Sequence, residues 1–531
     1  MTEQLHREVT LPSVIASLAA GYGEQVLSVT VLFHPDTSRI GEYWEHSINT
    51  RAVLDLGRLQ PAFGNGAQPA RPLNEAHVSR RALQLEIDNG ELLLVRQRGA
   101  CRCRLQGCDL REPRRLDAKS LVQGMVLQLG HAVVLWLHAG LERGSAPLGG
   151  EDMNLIGGSA AMCELRRQVL RAAGTDLNVL VLGESGAGKE EVAGSLHAAS
   201  RRARSPLVSV NMAAIPIGLA PALLFGSARG AYTGAGNASR GYFQQAERGT
   251  LFLDEIGATP LDIQPQLLRA LQQRQIQVVG GAQRVVDVRV IAATDADIDG
   301  RDSGFSAALR HRLGSLEIQV PPLRRHREDI GELLLHFLQV EAEALNCPHL
   351  LPDASGAPEH TARWAELFQR FARYSWSGNV RELLNAVRQL LVSSEAALTL
   401  PEMLETRLQE HAGAIADDAV VAPPVQRSAH GGVDDSHSRP MATIDAERFR
   451  RAHVAGGYEV AATARALSVS RQAVYRRLSD SGEFRLAVDV PEKEMQRALD
   501  MAGGDVQAAA AVLEVSARSL RARLRSRTGR G

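Results

Sequence analysis

The chain has 531 residues, enough for roughly three or four domains. Lys plus Arg and Asp plus Glu total 60 each, so the zero net charge excludes a uniformly basic nucleic-acid coat and an acidic tail protein. The longest apolar run is too short to span a bilayer, and no secretory signal precedes the five cysteines. We therefore expect a cytoplasmic protein with no membrane partner.

The first part of the chain has the alternating pattern of β-strands. Val29, Val31 and Phe33 occupy alternate positions, as on the buried face of a strand. Two further apolar stretches flank the turn pair Asn89-Gly90, which is typical of a hairpin. These patterns predict an all-β sandwich at 24–140, followed by a Gly- and Pro-bearing linker at 141–152.

In the central part, helical patterns alternate with short apolar segments. This order is typical of a parallel sheet with helices on its faces, and it predicts an α/β domain at 153–395. The predicted strands are Val179–Leu182, Leu207–Val210, Thr250–Leu253 and Val288–Ala292.

The last part begins with a segment at 396–440 that we predict to be a flexible linker, because it is rich in Ala, Gly, Asp, Pro and His. Beyond it, residues 455–478 match residues 501–524, with identities at the apolar positions of a helix, a turn and a helix. Chance similarity in an Ala-rich region is the alternative. We predict two helix-turn-helix units, at 441–480 and 490–528, in an all-α tail.

The strongest chemical motif lies between the predicted strand Val179–Leu182 and a helical segment. Glycines there allow the backbone N–H groups to wrap a phosphate at a helix N-terminus, and Lys189 can reach the β- and γ-phosphates. A Gly-rich turn without a function is the alternative. The candidate ATP-binding residues of this loop are Gly183, Glu184, Ser185, Gly186, Ala187, Gly188, Lys189 and Glu190.

A second motif supports the first. Thr250–Glu255 is an apolar strand that ends in two carboxylates, where Asp254 would hold Mg²⁺ and Glu255 would polarise the attacking water. An acidic strand end in a loop is the alternative, which the neighbouring phosphate loop disfavours. The expected cofactors are ATP and Mg²⁺.

The chain resembles the AAA+ activators of sigma-54 RNA polymerase. The loop Gly230, Ala231, Tyr232, Thr233, Gly234 and Ala235 matches the hexapeptide that contacts the sigma factor in that family, with Tyr232 in place of its usual Phe. Further family motifs occur in order: Ile156–Ser159, Leu224–Gly226, Gln266–Arg269, Pro321–Arg324, Glu328–Ile330 and Trp376–Leu383.

The resemblance implies a homo-oligomeric, hexameric ring in which ATP hydrolysis remodels the closed promoter complex of the sigma-54 RNA polymerase holoenzyme. It also implies that Asn211 switches the catalytic Glu255, and that Arg381 in the lid senses the γ-phosphate. A plain surface arginine is the alternative for Arg381.

The sequence departs from the family pattern at several positions. Ser306 follows Phe305 where the family has Arg, so we assign the arginine finger, which acts on a neighbouring subunit, to Arg312, with Arg310 in reserve. Asp295 stands where the first sensor is usually Asn, and a carboxylate there would add like charge near the γ-phosphate. Leu224, Ser227 and Ala228 also replace the acidic and His residues that usually flank the Phe225-Gly226 pair.

The N-terminal sandwich resembles a forkhead-associated (FHA) domain. Arg58 and Ser79 match the residues with which that family contacts phosphothreonine, which implies a phosphoprotein partner. Ala82, however, replaces the family's His, and Arg98-Gly99 replaces its usual Asn-Gly pair. Cys101, Cys103 and Cys108 lie in the same region, where three thiols could begin a metal site but lack a suitably spaced fourth ligand.

The terminal repeats resemble the Fis-type helix-turn-helix that ends many of these activators, which implies enhancer DNA as a partner. In the first copy Arg471, Gln472 and Arg476 would reach bases or phosphates, and in the second copy Arg518 and Arg521 lie in a basic stripe. A solvated helix end is the alternative for that stripe.

Together these features predict a multidomain, ATP-dependent activator of sigma-54 transcription that binds an enhancer. Two alternatives stay open. One is a hydrolysis-impaired AAA+ DNA-binding repressor or scaffold, which Ser306 and Asp295 favour. The other is an ATP-driven remodeller of a partner outside transcription, which the Gly230–Ala235 loop and the terminal repeats disfavour.

Overall fold

The computed structural model describes most of the chain, in two compact units at 1–422 and 423–531. The described residues are 25–66, 69–88, 90–143, 153–231, 237–299, 304–352, 357–394, 398–417, 446–455, 492–502 and 506–513, with 458, 463, 467, 474, 515, 516 and 520.

Two antiparallel sheets form the N-terminal part of the first unit, as the alternating pattern predicts. One has the strand order β2-β1-β12-β11-β8-β9 and the other the order β10-β7-β6-β3. The predicted hairpin is present, with β6 paired to β7. The strands are β1 (Gln25–Phe33), β2 (Tyr43–Ser47), β3 (Ala52–Leu56), β4 (Ala62–Phe63), β5 (Arg71–Pro72), β6 (Leu83–Asp88), β7 (Glu91–Arg96), β8 (Cys103–Leu105), β9 (Cys108–Asp109), β10 (Arg114–Leu116), β11 (Met125–Leu129) and β12 (Val133–Leu141), with helix α1 (Ala118–Gln123) before β11.

A five-stranded parallel sheet forms the centre of the same unit. Its strand order is β14-β15-β18-β13-β19, so the strand before the phosphate loop lies inside the sheet and all five carboxyl ends share one edge. The elements are α2 (Ala160–Ala173), β13 (Val179–Leu182), α3 (Lys189–Ala198), β14 (Leu207–Asn211), α4 (Ala220–Phe225), α5 (Tyr242–Gln245), β15 (Thr250–Asp254), α6 (Gln264–Gln273), β16 (Gln275–Gln277), β17 (Gln283–Val285), β18 (Arg289–Thr294), α7 (Ala307–Leu313) and β19 (Leu316–Gln319).

A helical lid follows the sheet. It consists of α8 (Ile330–Ala344), α9 (Pro358–Arg373), α10 (Asn379–Val392) and α11 (Glu402–Asp417). The prediction of a flexible linker at 396–440 is wrong over α11, where Leu404 and Leu408 are buried in the lid core. Their spacing of four residues places both on one helix face, and this short apolar stripe is easily missed in a polar segment.

The sandwich packs directly on the lid. Phe33 of β1 contacts Phe368 of α9, with ring centroids 4.9 Å apart, and Gly331 of α8 lies so close to β1 that an added Cβ would be 2.5 Å from the Leu32 carbonyl oxygen. We call this buried contact the sandwich–lid core. It is formed by Leu32, Phe33, Val126, Val134 and Trp136 from the sandwich, and by Leu334, Leu338, Trp364, Phe368 and Phe371 from the lid.

Phe33 of β1 packs against the lid, whereas the alternating pattern predicts that it packs inside the sandwich with Val29 and Val31. The register of β1 against β12 shifts between Val31 and Phe33. Val29 and Val31 therefore pack inside the sandwich, whereas Phe33 packs in the sandwich–lid core. A bulge adds one residue to a strand and reverses the faces beyond it, so Phe33 leaves the row predicted for it.

We expect the sandwich–lid core to contribute measurably to stability. Phe33→Ala and Phe368→Ala should each lower the free energy of unfolding by about 3 kcal/mol, because each removes a buried aromatic ring. Since the two rings touch, their effects should be non-additive by about 0.5–1.5 kcal/mol in a urea-unfolding double-mutant cycle. The exposed control Arg363→Ala should be nearly neutral, and strictly additive losses would contradict the contact.

In the second unit, short helices pack around small apolar residues. The helices in its described residues are α12 (Ala446–Ala455), α13 (Glu492–Met501) and α14 (Val506–Val512). Met495 and Ala498 of α13 form one cluster with Ala509 and Ala510 of α14 and with residues Leu513, Val515 and Leu520 beyond it. This packing is compatible with a helical tail. Within the described residues of both units, no helix is both long enough and apolar enough to cross a bilayer.

Candidate functional site

The predicted phosphate loop connects β13 to α3, as its sequence context requires. Gly188 precedes α3 with φ +100°, and no atom lies within 4 Å of where its Cβ would be, so the N-terminus of α3 faces open space. The ammonium of Lys189 is buried against the loop itself and donates to the carbonyl oxygens of Gly183 at 2.9 Å and Glu184 at 3.3 Å. The loop can therefore present a cation and helix N–H groups to an anion. Glu190 is exposed.

Lid residues hold the other side of this loop. Arg324 donates to the Glu184 carboxylate at 2.6 Å, and this pairing lowers the pKa of Glu184 to about 2. Asn379 donates to the Ser185 carbonyl oxygen at 3.0 Å, and Arg381 donates to the Ser185 hydroxyl at 3.2 Å. The backbone of the loop thus bonds the lid directly, and Glu184 serves as a lid contact.

The sequence motifs contained Arg324 and Asn379, but residue types alone assigned them no role. Asn379 is fully buried with φ +55°, and its amide oxygen accepts from the Leu323 N–H while its amide nitrogen reaches the phosphate loop. A buried non-glycine residue in this strained conformation marks a position that the surrounding contacts determine. The available signal was Asn after Gly378, a pair that favours a turn.

Three carboxylates and an amide lie at the carboxyl edge of the sheet. Asp254 ends β15, and Glu255 follows it with φ +51°, a rare conformation for a non-glycine residue. Asn211 ends the neighbouring β14 and donates to Asp254 at 3.3 Å, so its amide contacts the residue beside its expected partner, Glu255. Asp295 follows β18, where its carboxyl group lies close enough to Glu255 to act on its pKa.

The electrostatics of Glu255 follow from these neighbours. Burial raises its pKa, the Asp295 and Asp254 carboxylates raise it further, and the Lys189 ammonium lowers it. A carboxylate in this position has a driving force to accept a proton, as a general base requires.

A cavity of about 430 Å³ joins these groups. Its size is ordinary for a small-ligand site. Its walls combine the polar groups of the phosphate loop and the strand ends with an apolar region, which suits a ligand that has phosphates and a planar base. The residues that line it include Leu155, Ile156, Gly186, Gly188, Lys189, Asp254, Glu255, Phe337, Val380 and Arg381.

The residues present fit a magnesium nucleotide. Asp254 provides a half-buried carboxylate beside the phosphate loop, and Mg²⁺ is commonly held by one or two carboxylates together with phosphate oxygens. The described residues contain no cluster of three or more His, Cys, Asp or Glu side chains that could form a metal site by themselves. A bound Mg²⁺ would therefore share its ligands with the nucleotide.

The two candidate finger arginines differ in their surroundings. Arg310 is buried and paired with Asp299 at 2.9 Å and with Glu317 at 2.7 Å. Arg312 is exposed and donates only to the Leu271 carbonyl oxygen, at 3.0 Å, among its contacts with described residues. Arg312 can reorient toward a neighbouring molecule more easily than Arg310, because it forms no ion pair with the described residues.

The base of the Gly230–Ala235 loop is fixed to the central domain, whereas residues 232–236 lie outside the described residues. Ser227 pairs with Ser239, and the Ala228 N–H donates to the Val279 carbonyl oxygen at 2.9 Å. Gly280 is so close to Ala231 that an added Cβ would be 2.8 Å from the Ala231 Cβ. The hairpin of β16 and β17 therefore supports the start of the loop.

The two residues predicted to contact phosphothreonine lie on neighbouring loops of the sandwich. The Arg58 N–H donates to the Ser79 carbonyl oxygen at 2.9 Å. Gly57 permits this close approach, because a Cβ there would be 2.5 Å from the Arg80 carbonyl oxygen. The predicted DNA-contacting residues Arg471, Gln472, Arg476, Arg518 and Arg521 lie outside the described residues.

Beside the cavity, two acids bond the start of the central domain to the start of the lid: Asp329, which is buried, and Glu332, which is half-buried. Asp329 accepts from the Ser159 N–H at 2.8 Å and the Ser159 hydroxyl at 2.6 Å, and it also pairs with His326 at 2.9 Å. Glu332 accepts from the Gly158 N–H at 2.9 Å. Burial, with the nearby charge of Asp329, raises the pKa of Glu332 to about 7.

This raised pKa predicts a pH-dependent stability. The folded protein holds the Glu332 proton more tightly than the unfolded chain, where the pKa is near 4.5, so the contribution is complete below pH 4.5 and is lost as the pH rises toward 7. The amide of Glu332→Gln does not titrate, so the variant should not lose this stability. The free energy of unfolding of Glu332→Gln minus that of wild type should therefore be larger at pH 8 than at pH 5, by roughly 1–3 kcal/mol at 1.36 kcal/mol per pKa unit. Urea unfolding of this variant and of the exposed control Glu343→Gln would measure it. Parallel pH profiles for wild type and Glu332→Gln would contradict it.

Comparisons with known proteins agree with this geometry. The Sigma-54 interaction domain family matches residues 155–319, and the AAA+ ATPase lid domain family matches residues 324–419. The DNA-binding transcriptional regulator NtrC of Klebsiella pneumoniae is 42% identical over 273 residues, which cover 50% of this chain and 55% of that protein. NtrC of Azospirillum brasilense is 42% identical over 294 residues, which cover 55% of this chain and 57% of that protein.

Among solved structures, NtrX from Brucella abortus in complex with ADP shares 30% identity, covering 62% of this chain and 70% of that one with a TM-score of 0.41. The chain spans little more than half the length of the NtrC relatives it matches. The family matches lie on the parallel sheet and on the lid that together enclose the cavity. Residues 155–419 therefore belong to the AAA+ family of sigma-54-dependent activators, as a Sigma-54 interaction domain followed by its lid.

Proposed function

We propose that this protein hydrolyses ATP to remodel the closed complex of sigma-54 RNA polymerase, and that it activates transcription from enhancer DNA. The observation that carries the proposal is the single cavity in which Lys189, Asp254, Glu255 and Arg381 meet, within a region of the Sigma-54 interaction domain type. The NtrC relatives are transcriptional regulators by name, which supports the same activity here.

Each side chain has a defined task in hydrolysis. Lys189 exchanges its contacts with loop carbonyl oxygens for the β- and γ-phosphate oxygens, and the N–H groups at the start of α3 bind the same phosphates. Mg²⁺ held at Asp254 would supply neutralisation of phosphate charge. Glu255 orients the attacking water and accepts its proton, because its raised pKa favours that transfer.

Two arginines complete the site. Arg381 moves from the Ser185 hydroxyl toward the γ-phosphate and so couples the lid to the nucleotide. Arg312 of a neighbouring subunit in a hexameric ring acts as the finger, which its exposure and its lack of an ion pair among the described residues support. An arginine finger stabilises charge on the transferred phosphoryl group.

The remaining parts of the chain bind the partners of the activator. The loop Gly230–Ala235 contacts the sigma factor, the duplicated helix-turn-helix binds enhancer DNA, and Arg58 with Ser79 binds a phosphoprotein that regulates the activator. The close approach of the Arg58 and Ser79 loops supports the last assignment.

Open-complex formation on a supercoiled sigma-54 promoter tests the proposal. With sigma-54 RNA polymerase and ATP, the wild-type chain should produce open complexes, and a non-hydrolysable ATP analogue should not replace ATP. ATP hydrolysis without any open complex, on a promoter that carries the protein's own binding site, would contradict the assignment of the partner.

Glu255→Gln should separate binding from hydrolysis. The amide keeps the shape of the side chain but cannot accept the proton, so kcat should fall by about 10²- to 10⁴-fold while ATP affinity stays within about threefold. Phosphate release and titration with a fluorescent ATP analogue would measure these two quantities, with the exposed Glu359→Gln as a control. Hydrolysis at the wild-type rate would exclude Glu255 as the general base.

A hydrolysis-impaired repressor or scaffold is the second candidate function. The closeness of the Asp295 carboxyl group to Glu255 favours it, because this group raises the pKa of the general base and adds negative charge beside it. Under this alternative the wild-type chain binds ATP without turnover, and Asp295→Asn gains hydrolysis. Turnover by the wild-type chain, unaffected by Asp295→Asn, would exclude it.

A further inference from the structure

The phosphate loop contains a carboxylate close to the cation that attracts the phosphates. The Glu184 carbonyl oxygen accepts from the Lys189 ammonium at 3.3 Å, and the side chain of the same residue extends to the lid. A glutamate is ionised at pH 7 even without a partner. Charges that lie within about 8 Å, the Debye length at physiological ionic strength, act on one another through solvent. An uncompensated Glu184 carboxylate would therefore repel the phosphates that Lys189 attracts.

The lid provides a cation for this carboxylate. The guanidinium of Arg324 donates two parallel hydrogen bonds to it, from Nη1 to Oε2 at 2.6 Å and from Nη2 to Oε1 at 2.5 Å. The Asn379 amide donates a third hydrogen bond, to Oε2 at 3.2 Å. A fork of this kind holds the carboxylate in place and sets a full positive charge against it. The match to the AAA+ ATPase lid domain family begins at Arg324, so the compensating charge belongs to the lid and not to the loop.

The role of this ion pair follows from its exposure and its place. The Arg324 side chain is 45% exposed and the Glu184 side chain 43%, and such pairs contribute little to folding stability. Removing Arg324 leaves an uncompensated acid beside bound phosphates, whereas removing Glu184 as well takes that acid away. The two losses therefore compensate each other in nucleotide binding. A pair that only held two elements together would show no such compensation.

We propose that Arg324 is a positioning residue for ATP binding, which neutralises the Glu184 carboxylate so that the phosphate loop can accept the β- and γ-phosphates. This inference rests on the ATP-binding function proposed above and assigns the lid a part in it. Arg324 needs no contact with the nucleotide, because it acts through Glu184. The affinity of the loop for a polyphosphate thus depends on a lid residue 140 positions away in sequence.

Nucleotide titrations of full-length variants test this role. Arg324→Gln should weaken binding of a fluorescent ATP analogue by about tenfold, because the uncompensated Glu184 then repels the phosphates. Binding of the corresponding ADP analogue should weaken less, since ADP has one phosphate fewer. The double variant Glu184→Gln/Arg324→Gln should bind the ATP analogue at least about threefold more tightly than Arg324→Gln, although it has one more substitution. No recovery in the double variant would overturn the proposal.

Two control variants and the salt concentration separate charge from structure. Arg324→Lys keeps the charge and loses the fork, so its ATP affinity should stay within about threefold of wild type. Arg325→Gln removes the same charge from an exposed neighbour and should change the affinity by less than about twofold. The deficit of Arg324→Gln should shrink in about 1 M NaCl, where the Debye length falls to about 3 Å. A deficit that does not depend on salt would overturn the proposal.

The outcomes also distinguish this inference from the function on which it rests. If the wild-type chain does not bind the ATP analogue, both are overturned. If wild type binds it and Arg324→Gln binds it equally well, ATP binding stands and only the role of Arg324 is overturned. Circular dichroism would show that each variant is folded. Arg324→Met, a second neutral replacement, should show the same loss of affinity and takes the place of Arg324→Gln if that variant does not fold.

Discussion

Lys189→Ala should greatly weaken ATP binding. The ammonium of Lys189 is buried within the phosphate loop, and the loop contains no other cation that could neutralise the β- and γ-phosphates. We expect affinity to fall by at least about 100-fold, which corresponds to about 2.7 kcal/mol. Titration with a fluorescent ATP analogue would measure this loss.

The chain offers an unusually clean control for this substitution. It contains only three lysines, and Lys119 is exposed in the sandwich, so Lys119→Ala removes the same charge away from the cavity. It should bind ATP as wild type does. Retained affinity in Lys189→Ala would mean that the loop does not hold the phosphates, whereas loss in both variants would point to net charge rather than to the loop.

The chemistry of the site could be predicted from sequence because its residues are local. Lys189 and Asp254 stand in short motifs at strand ends, and parallel strands bring their carboxyl ends to one edge without further information. The contact between Arg324 and Glu184 joins residues 140 positions apart. Spacing carries no signal for such a pair, so only the fold reveals that the lid holds the phosphate loop.

The packing of the sandwich on the lid also could not be predicted from the sequence, for a different reason. Alternation predicts one buried face per strand, but Ser28 and Thr30 on the other face of β1 are buried too, and Arg143 donates to the Thr30 hydroxyl at 2.6 Å. A strand covered on both sides loses its simple pattern. Arg143, which sequence placed in a linker, is in fact buried against the sheet, so the connection between the domains is partly structured.

This docking bears on how a signal could reach the ATPase. The lid contacts the phosphate loop through Arg324 and Asn379, and it contacts the sandwich through Phe33 and Phe368. A change in the sandwich therefore has a continuous packed route to the nucleotide cavity. For a change in the sandwich to alter ATP hydrolysis, the lid must also adopt two different arrangements. Measuring both unfolding and ATP hydrolysis for the Phe33→Ala and Phe368→Ala variants would test this coupling.

Thr233→Ala should uncouple hydrolysis from transcription activation. Thr233 lies at the centre of the Gly230–Ala235 loop, whose base is held by the pairing of Ser227 with Ser239 and by the contact of Gly280 with Ala231. These anchors do not involve the side chain of Thr233. The rate of ATP hydrolysis should therefore stay within about twofold of wild type, whereas open-complex formation should fall by at least about tenfold, because the loop would lose its contact with the sigma factor.

Three variants make this result interpretable. Thr233→Ser keeps the hydroxyl and should retain most activation, and the exposed Thr50→Ala in the sandwich should match wild type in both assays. Lys189→Ala should lose both activities together. If Thr233→Ala loses hydrolysis and activation in equal measure, the loop supports the ATPase itself. If it keeps full activation, the loop does not contact the sigma factor, and the hydrolysis of ATP would have to act on another partner.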